Sequence, residues 1–176
     1  TAVRIVGNTT MCKQQAGFCE GFSTIDQIFV LLGAIDKYIS DPNAHVFVCF
    51  IDIKKAYDRV NRALLFSKLY DQAGVKGKLF GSLEAVMRKV QGTVRLGDSV
   101  SKPFSVGYGV AQGAIESPIL FILFLNDLAK CLVESESMSI KMVDEIISIL
   151  LYADDMAQLA LSAEHLQALL TCLETF

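Results

Sequence analysis

Patterns that mark membrane and secreted proteins are missing from this sequence of 176 residues. Its longest apolar runs, residues 119–125 and 146–153, are far shorter than the roughly 20 residues that a membrane-spanning helix needs. No N-terminal stretch joins a basic region to an apolar core and a cleavage site, so no secretory signal is indicated. We therefore expect a soluble protein of the cytoplasm, the nucleus or both.

Cysteine spacings typical of zinc sites or disulfide frameworks are missing too. The five cysteines are odd in number and widely scattered: Cys12, Cys19, Cys49, Cys131 and Cys172. In a cytoplasmic or nuclear protein we expect them to be reduced and mostly buried. The length fits one compact domain or a piece of a larger one. Because the sequence starts without a methionine and stops within a predicted helix, we expect a fragment.

Charge is distributed unevenly along the chain, although the net charge is only −3. Residues 1–53 carry three basic and five acidic side chains, giving −2, and residues 103–176 carry two and ten, giving −8. The middle, 54–102, carries four acidic and eleven basic side chains, giving +7; the basic ones are Lys54, Lys55, Arg59, Arg62, Lys68, Lys76, Lys78, Arg88, Lys89, Arg95 and Lys102. This pattern favours a surface for a polyanion beside a site that holds cations. A solvated, lysine-rich helix face is the alternative.

The order of hydrophobic patterns predicts an α+β fold, with helices segregated on an antiparallel sheet. Helical spacing and capping residues predict helices over 23–40, 61–73, 78–90 and 117–132, and a last one from Ser162. Apolar runs predict strands over 46–51, 146–151 and 156–161, and a hairpin over 93–106. The 117–132 helix is so apolar that it must be buried.

An acidic residue ends the first predicted strand. Residues 46–51 (VFVCFI) form a continuous apolar run, which is typical of a strand buried on both faces. Asp52 follows directly, and a carboxylate there is costly unless it is paired or bound to a metal. The alternative is a carboxylate that caps the following turn.

Two more carboxylates, Asp154 and Asp155, lie at the tip of the last predicted hairpin. Adjacent carboxylates repel each other, and a divalent cation such as Mg²⁺ would relieve the repulsion. The alternative is a turn in which they hydrogen-bond the backbone. If Asp52 converges on the same point, the three carboxylates meet the requirement for two metal ions about 4 Å apart, one activating a 3′-hydroxyl and one holding a triphosphate.

These segments resemble the A, B and C motifs of reverse transcriptases, and most closely those of retrotransposons without long terminal repeats. The matching segments are 50–58 (FIDIKKAYD), 109–113 (GVAQG) with 117–121 (SPILF), and 152–155 (YADD). An upstream fingers motif is similar to 15–18 (QAGF) with 23–27 (STIDQ), and 126–128 (NDL) also fits. The resemblance covers nearly the whole chain, in order and spacing.

The resemblance implies an RNA-directed DNA polymerase that adds deoxynucleotides to a primer 3′ end during retrotransposition. Its partners would be an RNA template, a DNA primer and a dNTP, and its cofactors two Mg²⁺ ions, with Mn²⁺ as a substitute. The implied architecture is a polymerase palm, an antiparallel sheet backed by helices, over 46–176, with partial fingers over 1–45. The thumb would be absent from this fragment.

The resemblance also assigns roles to individual residues. The catalytic metal ligands would be Asp52, Asp154 and Asp155, assisted by the carbonyl of Ile53. Tyr57 would lie under the incoming sugar and exclude a 2′-hydroxyl; an ordinary core aromatic is the alternative.

Nucleotide contacts are implied for two further pairs of residues. Gln112 would contact the incoming nucleotide or the template, beside the close backbone approach that Gly113 permits; a glutamine of a surface loop is the alternative. Lys54 and Lys55 would meet phosphates, and solvent-exposed lysines are the alternative.

Three residues depart from the family pattern: Cys19 replaces a usual arginine, Ala111 a proline or arginine, and Glu116 an apolar residue. They motivate a second hypothesis, a catalytically degenerate reverse-transcriptase-like domain that still binds nucleic acid. A third, an unrelated Mg²⁺-dependent α/β hydrolase, explains the acids but leaves the Gln112 loop unexplained.

Overall fold

A computed structural model describes residues 11–133, 140–142 and 145–175. Its helices are α1 (Thr24–Ile39), α2 (Ala56–Arg59), α3 (Arg62–Asp71), α4 (Gly77–Arg88), α5 (Ser117–Val133) and α6 (Ala163–Thr175). Its strands are β1 (Phe47–Asp52), β2 (Gln91–Gly92), β3 (Arg95–Leu96), β4 (Ser99–Val100), β5 (Phe104–Ser105), β6 (Ile140–Met142), β7 (Glu145–Ile147), β8 (Ile149–Tyr152) and β9 (Asp155–Ala160). Helices and small antiparallel sheets coexist, so the predicted α+β class is confirmed.

The chain divides into two compact units, and each is described separately. The sheet unit comprises residues 11–54 and the described part of 125–176, and the helical unit comprises 55–124. The predicted division into fingers over 1–45 and palm over 46–176 stays a prediction. All five cysteines are described and are free thiols, but the prediction that most of them are buried is wrong, since four are half-buried and Cys131 is exposed. Within the described ranges, none of the helices combines the length and apolarity of a membrane span.

A three-stranded antiparallel sheet in the order β1-β9-β8 forms the centre of the sheet unit. Its middle strand, β9, is buried from Met156 to Ala160. The core cluster combines Ala34 of α1 with residues of the strands, namely Ile140, Ile147, Leu150, Ala157 and Leu159. The apolar contacts of this unit therefore centre on β9.

The prediction that the first strand is buried on both faces is wrong. No residue of β1 is buried, and the side chain of Phe50 is 74% exposed. The strand lies at the edge of its sheet, and an antiparallel sheet needs cover on one face only. Its continuous apolar run therefore does not correspond to a central position.

Helix α1 begins with the predicted capping arrangement. The backbone N–H and the hydroxyl of Ser23 donate to Asp26 Oδ2 at 2.6 and 2.7 Å, and these bonds lower the pKa of that carboxyl. Of the five apolar residues whose spacing suggested the helix, Ile25, Ile28, Phe29 and Leu32 are more than half exposed, and Ile35 is half-buried. The helix buries Ala34 instead, so helical spacing predicted the element without predicting its buried face.

The predicted strand over 146–151 is interrupted at Ser148, which separates β7 from β8. Its hydroxyl donates to the carbonyl of Leu132 at 3.0 Å, and its own carbonyl accepts from Leu159 at 3.0 Å. A fully buried serine needs such partners. At this residue the chain changes from pairing with β6 to pairing with β9.

One arginine organises the helical unit. Arg62 of α3 is buried and donates to four backbone carbonyls, those of Gly109 (2.7 Å), Met87 (2.5 Å), Val106 (2.6 Å) and Tyr108 (3.0 Å). Burial lowers the pKa of its guanidinium, which nevertheless stays protonated at neutral pH. The fork of donors ties the end of α4 and the loop after β5 to α3.

Two members of the basic middle segment are therefore unavailable to a polyanion. Besides Arg62, Lys68 is buried; it donates to the carbonyl of Phe124 at 2.6 Å and lies 4.8 Å from the centre of that residue's ring. The other nine basic side chains are exposed. The predicted basic surface is smaller than the sequence indicates.

Replacing Arg62 by methionine is expected to lower the free energy of unfolding by about 3 kcal/mol or more, because the buried carbonyls of Met87 and Gly109 lose a charged donor. Denaturant unfolding monitored by circular dichroism measures the change. Arg59→Met is the matched control, since Arg59 is exposed. Equal losses in the two variants would contradict the role assigned to Arg62.

Candidate active site

The three predicted catalytic carboxylates lie at one end of the central sheet. Asp52 is the last residue of β1 and Asp155 the first of β9, and the two are direct partners in the antiparallel register. Asp154 precedes Asp155 in the turn from β8 to β9. Directly opposed residues point to the same face with Cβ atoms about 4.5–5.5 Å apart. The structure thus brings Asp52 and Asp155 together on one face.

The carboxylates receive no compensation from the described part of the protein. Asp52 and Asp155 are exposed and Asp154 is half-buried. Among the described residues, no hydrogen bond or ion pair reaches their side chains, so neither a cap by Asp52 nor a backbone-bonded Asp-Asp turn is present there. Like charges opposed across a ladder repel, and a cation from outside would remove that repulsion.

The donor set suits hard divalent cations, which prefer carboxylate oxygens and complete their shell with water and phosphate oxygens. Within the described ranges, however, no group of three or more acidic, histidine or cysteine side chains is arranged to hold a metal by itself. The backbone placement brings Asp52 and Asp155 to one face, and the described side chains do not enclose an ion on their own.

The turn that carries Asp154 has an unusual backbone. Ala153 has φ 59°, in the left-handed region that costs a residue with a Cβ about 1–2 kcal/mol. It is one of only two residues between β8 and β9, where glycine is the usual choice for such an angle. The turn therefore depends on support from outside it.

Gln15 supplies that support. Its side-chain Oε1 accepts from the backbone N–H of Ala153 at 3.0 Å, and its Nε2 donates to the carbonyl of Ala153 at 3.3 Å. The same Oε1 accepts from the N–H of Gly17 at 2.7 Å, and the side chain is buried. One amide thus holds both backbone groups of the left-handed residue.

The segment around Gln15 lies alongside β8. Ala16 donates to the carbonyl of Leu151 and Leu151 donates to that of Gln14, each at 2.9 Å, in a parallel bridge. Nε2 of Gln27 donates to the carbonyls of Gln14 (3.1 Å) and Leu151 (3.2 Å). The fingers-like motif of the sequence therefore braces the aspartate turn, a role that the sequence did not reveal.

Gly17 makes the close approach possible. A Cβ at this position would lie 2.1 Å from the backbone nitrogen of Ala153 and 2.8 Å from its Cα. Both are backbone atoms, which cannot move aside as a flexible side chain can. Only glycine fits here.

The remaining predicted site residues lie directly after β1 and in the helical unit. Lys54 and Lys55 are exposed and Ile53 is half-buried. In the helical unit, the ring of Tyr57 stacks on Phe121 with centroids 4.8 Å apart and planes 12° apart. The ring is thus half-buried with one packed face, which combines features of both interpretations of Tyr57.

The loop that carries Gln112 and Gly113 is anchored to α2. Val110 donates to the carbonyl of Tyr57 at 2.9 Å, and Gly109, at φ 81°, leaves no room for a Cβ against the backbone of Asp58. Gln112 and Gly113 are exposed. Tyr57 and the loop are therefore held together within this unit.

The whole chain, residues 1–176, matches the family described as reverse transcriptase (RNA-dependent DNA polymerase). The chain belongs to this family. The predicted resemblance to reverse transcriptases of retrotransposons without long terminal repeats is thereby confirmed, since named relatives of that kind also match.

Two of these relatives come from Drosophila melanogaster. The probable RNA-directed DNA polymerase from transposon BS is 32% identical over 114 residues, which are 65% of this chain and 12% of the relative. That from transposon X-element is 28% identical over 117 residues, 66% of this chain and 12% of the relative. The Retrovirus-related Pol polyprotein from type-1 retrotransposable element R2 of Popillia japonica is 28% identical over 144 residues, which are 78% of this chain and 20% of the relative. The reverse transcriptase chain thus spans about an eighth of the first two.

Solved telomerase structures share the fold. Apo telomerase from Candida tropicalis superposes with a TM-score of 0.64 at 16% identity, over 92% of this chain and 32% of the telomerase. Telomerase from Candida albicans, in complex with a fragment of telomeric RNA, superposes with a TM-score of 0.68 at 12% identity. The superposition covers 98% of this chain and 31% of the telomerase. At these identities the likeness concerns the fold of the reverse transcriptase chain alone.

Replacing Gly17 by alanine is expected to destabilise the chain by about 1–3 kcal/mol, because the new methyl group collides with the backbone of Ala153. Thermal and denaturant unfolding measure the change. Gly81→Ala is the matched control: it lies within α4 with open space around its Cβ, and alanine there should stabilise by about 0.5–1 kcal/mol. If Gly17→Ala raised the free energy of unfolding as Gly81→Ala should, the close approach at Gly17 would be contradicted.

Proposed function

We propose that this chain forms the catalytic palm and partial fingers of an RNA-directed DNA polymerase. It would add deoxynucleotides to the 3′ end of a DNA primer on an RNA template, in the course of retrotransposition. The observation that carries the proposal is the pairing of Asp52 with Asp155, next to Asp154, at the open end of the sheet. Membership of the reverse transcriptase family supports it.

Asp52, Asp154 and Asp155, with the carbonyl of Ile53, would hold two Mg²⁺ ions, for which Mn²⁺ can substitute. When bound, such ions neutralise the triphosphate and lower the pKa of the attacking 3′-hydroxyl. The protein's part is positional, because the strand ends fix the spacing of the carboxylates before substrate arrives. Phosphoryl transfer depends mainly on such positioning and on charge neutralisation.

Residues of the helical unit would select and hold the nucleotide. The packed ring of Tyr57 suits a steric gate, since stacking on Phe121 limits how far it can move away from a 2′-hydroxyl. Gln112 and Gly113 are exposed on an anchored loop, as contacts to a nucleotide or template require. Lys54 and Lys55 are exposed and would meet phosphates.

The nine exposed basic side chains of residues 54–102 favour a nucleic-acid surface. Phosphate contacts from lysine and arginine give affinity without sequence preference, which suits an enzyme that copies any template. The RNA template and the DNA primer are the partners that follow from this interpretation.

Asp154→Asn is expected to reduce primer extension by about a hundredfold or more, because losing a metal ligand removes several kcal/mol of transition-state stabilisation. Extension is measured on a poly-RNA template with Mg²⁺ or Mn²⁺, using the 176-residue chain and, if the open reading frame continues beyond it, the longer protein as well. Asp98→Asn is the matched control, an exposed acid between β3 and β4. Primer-template binding without any extension by the unsubstituted protein would instead favour a degenerate binding domain.

Tyr57→Ala is expected to admit ribonucleotides, with the ratio of kcat/KM for dNTP over rNTP falling by about tenfold or more. Tyr57→Phe is the matched control, since it keeps the ring that stacks on Phe121 and removes only the hydroxyl. Single-nucleotide incorporation with both sugars measures the ratio. Unchanged sugar selectivity in the alanine variant would refute the steric gate.

A further inference from the structure

We infer that Gln15 is a positioning residue for the metal-binding carboxylates, acting through the backbone of Ala153. The inference rests on the proposed function, because it concerns how the proposed metal site is held. The side-chain hydrogen bonds of Gln15 go to Ala153 and Gly17, and none goes to Asp52, Asp154 or Asp155. The side chain of Gln15 fixes the turn residue that directly precedes Asp154.

The contact is specific to a glutamine. One amide both accepts from the N–H of Ala153 and donates to its carbonyl, while the same oxygen accepts from Gly17. A carboxylate of the same size has no proton to donate, and an apolar side chain offers neither donor nor acceptor. Gln15 is only 4% exposed, so water does not easily replace a lost hydrogen bond.

The turn needs this clamp for two physical reasons. Ala153 is held at a left-handed φ of 59°, which it would leave if nothing opposed it. In addition, the ladder opposes Asp52 to Asp155, and their mutual repulsion favours separation of the two strand ends. The amide opposes both tendencies at the same residue.

A loosened turn would move Asp154 and Asp155 relative to Asp52. Metal sites and reacting groups tolerate displacements of only about 0.5 Å, and an error of about 1 Å can cost a hundredfold in rate. We therefore expect loss of the hydrogen bonds from Gln15 to weaken metal binding. The factor by which kcat falls should exceed the factor by which the KM for dNTP changes.

The test compares Gln15→Met and Gln15→Glu with the unsubstituted protein. Three quantities are measured: Mn²⁺ binding by calorimetry, the Mg²⁺ concentration for half-maximal primer extension, and Tm. Calorimetry is done with dNTP and a primer-template that ends in a 3′-dideoxynucleotide, because the described carboxylates do not enclose an ion on their own. Both substitutions should weaken Mn²⁺ binding and raise the Mg²⁺ requirement by about 10- to 100-fold, as losses of supporting contacts at metal sites do.

Gln158→Met is the matched control for stability. Gln158 is another fully buried glutamine of the sheet unit, and its Nε2 donates to the carbonyl of Leu169 at 3.4 Å, away from the turn. It should leave both metal measurements unchanged whether Tm rises or falls, since its buried Oε1 has no hydrogen-bond partner in the described part of the chain. If it changes them as much as the Gln15 variants do, the metal response follows global stability and the inference is overturned.

A second-site variant distinguishes a positioning role from an effect on global stability. Ala153→Gly removes the penalty for the left-handed φ, since glycine adopts it freely. In the Gln15→Met background it should restore Mn²⁺ affinity by about fivefold or more relative to Gln15→Met alone, a larger gain than the same substitution gives when Gln15 is present. Additive effects of the two substitutions would overturn the inference.

The outcomes separate the two proposals. If the unsubstituted protein shows no primer extension with either ion, the proposed function fails whatever the Gln15 variants do. If it extends primers and the folded Gln15 variants keep its Mg²⁺ requirement and Mn²⁺ affinity, only the role of Gln15 fails. Gln15 variants that all lose the fold would also contradict a positioning role, because the residue would then act through stability.

Discussion

The antiparallel register between β1 and β9 is the constraint on which the rest of the sheet unit depends. Register places the two carboxylates directly opposite each other, from Phe47 against Ala160 to Asp52 against Asp155. A slip of one residue would turn the acidic side chains to opposite faces and expose the buried residues of β9. The apolar core around β9 therefore holds the register that the charges oppose.

Support for the turn comes from a distant part of the sequence. The amide of Gln15 reaches Ala153 across 138 positions, and Gly17 permits the approach by having no side chain. Gln27 adds bonds to the carbonyls of the paired backbones. In the helical unit, Arg62 plays a comparable part by binding the carbonyls of the loop that leads to Gln112. Both units thus use one buried polar side chain to fix a functional loop, because the loop lacks a regular ladder of its own.

Sequence patterns predicted the elements better than their environments. The helix cap at Ser23, the buried helix α5, and the strands on either side of Ala153 were all predicted and are present. The burial of β1 was predicted wrongly, since an apolar run does not reveal whether a strand lies at the centre or the edge of a sheet. Arg62 and Lys68 were counted with the surface charges, because composition does not reveal which cations fold inward to bind carbonyls. The interruption at Ser148 was not predicted either, because the hydrogen bond from Ser148 to Leu132 forms only in the folded chain.

By itself, the sequence determined the family and the candidate ligands, because motif order and spacing are local properties of the chain. Asp52, Asp154, Asp155, Tyr57 and Gln112 could all be named from it, and their catalytic roles remain predictions. Only the tertiary structure decided that Asp52 faces Asp155, that the described side chains do not enclose a metal by themselves, and that Gln15 holds Ala153. These facts depend on strand pairing and on hydrogen bonds between segments more than a hundred residues apart, which no local pattern encodes.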